Sequence, residues 1–229
     1  MRIRTPSLCG CLVLCIELFY ITLKDTFHTP TPPFHTAKQE LLGCIILLQY
    51  LCVENNANNM KRILSRILLA LAAIVVLGML IPQNLKMPVV GADTNSYNHE
   101  TFWYEGWGSS IVHKGIDVFA RRGTRVNSAT IGIVLCTAEY GKGGKFVLVL
   151  GPKWRLHYYA HLDEVTTKPL ALVGHGTQIG TVGNSGNAAT TPAHLHYGIG
   201  TLIPYPWRID DAPLGHQKAF YLNPIDYLK

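Results

Sequence analysis

From Asp93 to Lys229 the chain has no sustained apolar pattern of helical period; it offers short β-rich runs broken by glycine turns. Thr130–Ala138 and Lys145–Leu150 are β-rich runs joined by the glycine-rich stretch Glu139–Gly144, which predicts a hairpin. Arg155–His161 and His194–Ile199 read as further strands and Gln178–Val182 as a short one. Turn signals recur at Gly151-Pro152, Gly174–Gly176 and Gly183–Asn187. These 137 residues suffice for one compact, mainly antiparallel β domain. Cys136 is their single cysteine, so no internal disulfide can staple them; its apolar surroundings predict a buried small hydrophobe.

The first ninety residues differ in kind. Hydrophobic residues make up 48% of the chain and charged ones 15%. The apolar excess gathers in three N-terminal stretches, Cys9–Leu23, Leu41–Val53 and Ile67–Ile81. Only the third has a targeting pattern. Met60-Lys61-Arg62 and Arg66 form a basic flank, and fifteen uncharged residues follow before Pro82. That length lies between a signal h-region and a spanning helix. The charge bias puts residues 63–81 in the cytoplasmic membrane and the β domain on its outer side, periplasmic or extracellular. Residues 60–92 are therefore expected to be a signal peptide or single anchor. Residues 1–59 read as an upstream extension ahead of a true start at Met60, 93–110 as a linker, and 111–229 as the folded domain. From Asp93 onward 12 Lys/Arg face 10 Asp/Glu, a net charge of +2, too little for a nucleic-acid footprint, and no nucleic-acid partner is expected.

Three histidine-bearing segments carry the chemistry. His113-Lys114-Gly115-Ile116-Asp117 reads as a loop entering a strand. In His194-Leu195-His196 the i, i+2 spacing turns both imidazoles to one strand face. In Tyr158-Tyr159-Ala160-His161-Leu162 the same alternation would align His157, Tyr159 and His161. A catalytic zinc takes three His, Asp, Glu or Cys ligands and keeps one position open for water. His113, Asp117 and one imidazole of the His194/His196 pair meet that requirement and leave histidines over for proton handling. His99, His175 and His216 have no such context.

These segments, with Gly183-Asn184-Ser185-Gly186, occur in the order of the M23 (lysostaphin/LytM-type) zinc metallopeptidases, and Val112–Ile199 resembles that family. The resemblance implies a small antiparallel β fold with a narrow groove floored by Zn2+. It implies His113, Asp117 and His196 as metal ligands and His161 and His194 as catalytic residues, one as general base and one as oxyanion donor, without saying which. Peptidoglycan peptide cross-links are the implied substrate, either glycine bridges or bonds involving D-amino acids. His157, Tyr159 and Asn184 are candidate substrate contacts, as are Trp103, Tyr104 and Trp107. Two departures are visible. Thr191-Pro192-Ala193 stands where relatives often have Gly-Pro before His194, and Gly151-Pro152-Lys153-Trp154 is expected to reshape a groove wall. The competing readings are a catalytically silent M23-like regulator of other wall hydrolases and an envelope protein whose metal only staples the fold. Intact ligand and histidine positions speak against the first. A closed structural site would use four ligands, preferably with Cys, which speaks against the second.

Overall fold

A computed structural model describes residues 34–228. The apolar stretch Cys9–Leu23 and the Pro-rich break at Thr29–Pro33 lie outside them. The chain divides into two units, Met1–Leu69 and Ala70–Lys229. Helix α1, Phe34–Leu80, runs through Met60 without a break, so the expected boundary at residue 60 is not marked in the secondary structure. The helix stops two residues before Pro82, a residue that disfavours the α conformation in the residue before it. Its segment Asn59–Leu80 is 22 residues long, unburied, and apolar enough to cross a membrane.

After Leu80 there is no α-helix among the described residues. Nine strands form one sheet: β1 Ile116–Phe119, β2 Arg125–Asn127, β3 Gly132–Tyr140, β4 Gly144–Gly151, β5 Arg155–Val165, β6 Leu172–Val173, β7 Gln178–Val182, β8 His194–Thr201 and β9 Tyr221–Leu222. Their main order is β1-β8-β5-β4-β3-β6, with β2 and β7 paired off the path, β7 also against β5, and β9 on β8; every pairing is antiparallel. The β3–β4 hairpin turns through Gly141–Gly143 as the glycines suggest, and Gly141 and Gly144 take φ of 56° and 59°.

Alternation assigns the two faces of the sheet. Ile116, Val118, Leu195, Tyr197 and Ile199 point into the core with Tyr159, and none is measurably exposed. Leu85, Val89 and Tyr97 belong to the same core. The stretch read as a linker, 93–110, is thus packed on the domain in the structure: Tyr97 and Trp103 are buried, and Trp103 Nε1 donates to the Pro213 carbonyl at 3.1 Å. Aromatic area outweighed a polar, glycine-containing composition there. Cys136 is a free thiol and only half-buried, because β3 turns just part of its surface inward. The Pro152–Trp154 turn does not shape a groove wall. Lys153 Nζ and Trp154 Nε1 donate to the Met79 and Val75 carbonyls in the last turns of α1.

His157 and Tyr159, expected as substrate contacts, are core residues with no exposed surface. The Gln83 amide serves both Arg155 and His157. Its oxygen accepts from the Arg155 guanidinium, so its Nε2, 3.0 Å from His157 Nε2, is the donor. His157 Nε2 must then carry a lone pair, and Nδ1–H donates to the Tyr197 hydroxyl at 2.8 Å. Burial, reinforced by the charge of Arg155, pushes the His157 pKa down to about 3. Below its ordinary pKa of about 6.5 the unfolded chain takes up a proton that the folded chain refuses, so acidification from there toward pH 3 removes stability, by at most about 1.4 kcal/mol per pH unit. The thermal midpoint is expected to fall between pH 7 and pH 4, and His157→Gln to be less stable at pH 7 yet lose less per pH unit. A variant with the wild-type slope would contradict this account.

Candidate metal centre and cleft

Cross-strand register builds the centre. Asp117 on β1 lies directly opposite His196 on β8, and Ala160 of β5 flanks His196 on its other side. His113 precedes β1 by one short loop, with its backbone tied to the preceding segment by Trp103 N to His113 O at 2.7 Å and His113 N to Tyr104 O at 3.1 Å. Three atoms converge as a result. His113 Nε2 is 3.1 Å from Asp117 Oδ1 and 3.0 Å from His196 Nδ1, and His196 Nδ1 is 2.9 Å from Asp117 Oδ1. Gly115 makes the approach possible: a Cβ there would meet the Tyr197 carbonyl at 2.6 Å and the His196 ring at 2.9 Å.

The donor set fits a cation. His113 Nδ1 faces the Thr101 carbonyl at 3.1 Å and must hold the proton, so its Nε2 is a bare lone pair. That lone pair, a carboxylate oxygen and a second imidazole nitrogen all point at one another, an arrangement of acceptors that needs positive charge among them. Two imidazoles and one carboxylate suit zinc, and the Thr101 carbonyl supplies the outer partner that orients a ligating imidazole. Burial alone would raise the Asp117 pKa; its side-chain contacts with the His113 and His196 imidazoles outweigh burial and hold the carboxyl far below the usual range. Burial lowers the His196 pKa, against the opposing pull of Asp117, which favours the neutral, ligating form.

His161 and His194 stand beside this cluster. His194 Nδ1 faces the Pro192 carbonyl at 2.8 Å and His161 Nδ1 the Ser185 carbonyl at 2.9 Å, which leaves each Nε2 as an acceptor. His194 Nε2 is 3.8 Å from Asp117 Oδ2, and the His161 ring centroid is 5.0 Å from that of His194. Burial, with like-charge repulsion from His196, lowers the His161 pKa to about 4. His161 reaches this face through a bulge. Lys145 and Val147 of β4 pair with Leu162 and Tyr159 of β5, so three steps on β5 match two on β4, and His161 takes φ of 62°. Simple alternation would have placed it with His157 and Tyr159 on the core side. Tyr158 and Ala160 face the cleft by ordinary alternation, and the bulge adds His161 to them.

The expected cleft residues divide. Trp107 lines the cleft and stacks on His113, ring centroids 4.1 Å apart, while Tyr104 is exposed outside it and Trp103 is buried. Asn184 binds the Ala189 carbonyl at 3.4 Å and does not line the cleft; Asn187 does. The Gly183–Gly186 segment acts through its neighbour instead. Ser185 Oγ donates to the Leu162 carbonyl at 2.8 Å and accepts from Lys145 N at 2.9 Å, while its own carbonyl holds His161. Lys114, Lys142 and Tyr158 are cleft residues that the sequence did not single out. Burial, then the charge of Lys142, lowers the Lys114 pKa.

Residues 111–203 match the family model described as Peptidase family M23. The chain carries an M23-family domain. An L-Ala–D-Glu endopeptidase of Bacillus subtilis is 33% identical over 112 residues, 45% of this chain and 34% of that protein. The peptidoglycan DD-endopeptidase ShyA of Vibrio cholerae is 32% identical over 85 residues, 37% of this chain and 19% of that protein. The chain thus spans about a third or less of the length of these curated relatives. Among solved structures, the catalytic domain of lysostaphin from Staphylococcus simulans is 22% identical with a TM-score of 0.45, covering 58% of this chain and 92% of that one.

Purified chain is expected to bind one zinc ion, measured by elemental analysis, and to lose it in His113→Ala, Asp117→Ala and His196→Ala while staying folded. Gly115→Ala should also weaken zinc binding, because the added methyl displaces the His196 ring. Full zinc occupancy in the three alanine variants would rule out this ligand set.

Proposed function

We propose that the domain is a zinc metalloendopeptidase that hydrolyses peptide cross-links of bacterial peptidoglycan. The observation that supports this best is a cluster of five side chains: three converging ligand atoms with two further imidazoles beside them whose Nδ1 atoms are tied to carbonyls. The names of two relatives, an L-Ala–D-Glu endopeptidase and a peptidoglycan DD-endopeptidase, point the same way. Zinc held by His113, Asp117 and His196 would polarise the scissile carbonyl and acidify water beside it. His161 and His194 do the rest. One accepts the proton of the attacking water at Nε2 and returns it to the leaving amine; the other donates a hydrogen bond to the oxygen that gains negative charge. The carbonyls of Ser185 and Pro192 hold a proton on Nδ1 of both rings, which frees Nε2 of the neutral ring to act as base. The ring that donates to the oxyanion carries a second proton on Nε2, as an imidazolium. The apolar segment Asn59–Leu80 serves as signal or anchor and delivers the domain to the outer side of the cytoplasmic membrane, where the wall lies.

His161→Ala and His194→Ala are each expected to keep zinc and lose on the order of a hundredfold to a thousandfold in cleavage of purified wall peptides. Zinc content measured beside turnover checks this. Wild-type rates in both variants would defeat the assigned roles, and a zinc-loaded wild type that cleaves no wall peptide would favour the silent-regulator reading.

A further inference from the structure

The M23 cleft is one-sided in charge. Lys114, between two residues of the ligand motif, lines both the cleft of about 460 Å³ over the metal centre and the adjoining one of about 440 Å³ along β8. Its ammonium is held at the wall by Gln217 Oε1 at 2.7 Å and lies 5.2 Å from the centre of the Tyr221 ring. Lys142, at the tip of the β3–β4 hairpin, also lines the first cleft and reaches Ser110 Oγ at 3.4 Å. No Asp or Glu lines either cleft. Among the described residues neither ammonium has a carboxylate within ion-pair distance, although Arg122 and Lys218 each have one. Asp117, the nearby acid, is taken up by His113 and His196.

We propose that Lys114 and Lys142 form a carboxylate-binding subsite, so that this domain takes acidic peptides carrying a free carboxylate near the scissile amide, in preference to uncharged glycine bridges. Two ammonium groups without a counter-ion lining one cleft repel each other, and a ligand carboxylate bound by both removes that repulsion while gaining charge-assisted hydrogen bonds. The hold on each is replaceable: Lys142 has a long contact to a hydroxyl, and Lys114 a neutral amide and a ring face. A polyglycine segment offers the ammonium groups carbonyl acceptors but no compensating charge, and it would bury their charge at a cost. The apolar cleft beyond, walled by Leu148, Leu156 and Phe220 over Gly198 and Gly200, then receives the uncharged part of the same peptide.

This inference rests on the peptidase reading, and the test separates the two. Synthetic wall stem peptides are made in pairs, with free carboxylates or with the same groups as carboxamides. Both binding, by calorimetry, and cleavage are measured on the zinc-loaded full chain. The carboxylate form is expected to be preferred about tenfold or more, a preference that shrinks with added salt. Lys142→Met should cut the carboxylate-to-carboxamide ratio several-fold, the double variant with Lys114→Met should bring it near one, and Lys142→Arg should retain it. Cleavage without a carboxylate preference, or a preference untouched by both methionine variants, overturns the subsite and leaves the peptidase reading standing. Tighter carboxylate binding that depends on both lysines, without any cleavage, supports the subsite and defeats the peptidase reading.

Discussion

The contact between Asp117 and His196 across the β1–β8 pairing is the point on which the site depends. Antiparallel register sets the two residues opposite each other, and the Asp117 carboxylate and His196 Nδ1 meet at 2.9 Å. A slip of β8 by one residue would send His196 into the core and bring Leu195 and Tyr197 out toward the cleft. Those core residues are fully buried, so the hydrophobic effect that holds the sheet also fixes the register of the ligands. His113 joins from a loop, but its backbone is bonded to Trp103 and Tyr104 and its ring is covered by Trp107. The loop-borne ligand is therefore held almost as firmly as the strand-borne pair.

The two remaining histidines are positioned by irregular backbone. His161 occupies a bulge with positive φ, a conformation that costs a non-glycine residue on the order of 1–2 kcal/mol. Gly144 and Gly186 secure it from outside. A Cβ at Gly144 would come within 2.4 Å of Gly186 N, and one at Gly186 within 2.3 Å of the Lys142 carbonyl, so the hairpin and the Gly183–Gly186 turn can touch only as glycine. Through this contact the hairpin carrying Lys142 is packed against the turn whose Ser185 carbonyl holds His161. A residue proposed to read the substrate and one proposed to move its proton thus share one support.

Much of the β architecture was legible because a strand buried on one face alternates, and because glycine marks turns wherever the backbone needs positive φ. The hairpin, β7 and β8 follow their patterns closely. The same rule misassigned His157 and Tyr159, since alternation assumes an uninterrupted ladder and the β5 bulge interrupts it. Nothing in Tyr158-Tyr159-Ala160-His161 announces a bulge; it exists because β4, β7 and β8 all pair with β5 in registers that do not otherwise agree. The stretch 93–110 misled for a related reason: its polar residues and glycines read as a connection, and only the core supplied the surface that buries Tyr97 and Trp103.

The sequence by itself determined the identity of the chemical groups. A His-x3-Asp segment and a His-x-His segment in a β-rich region whose single cysteine, Cys136, lies outside both point to imidazole and carboxylate as the donors. It also determined the apolar character of Asn59–Leu80, which is a matter of composition and length. Tertiary structure alone decided how these groups are used. His113 and His196 are separated by 83 positions in the chain and meet at 3.0 Å only through sheet pairing. The tautomers of His113, His161 and His194 follow from the carbonyls of Thr101, Ser185 and Pro192, partners with no side-chain signature because they are backbone atoms. The charge of the cleft is likewise a tertiary property: lysines 28 positions apart face one space only after the hairpin folds over the ligand loop, and their lack of counter-ions depends on where every acidic side chain ends up.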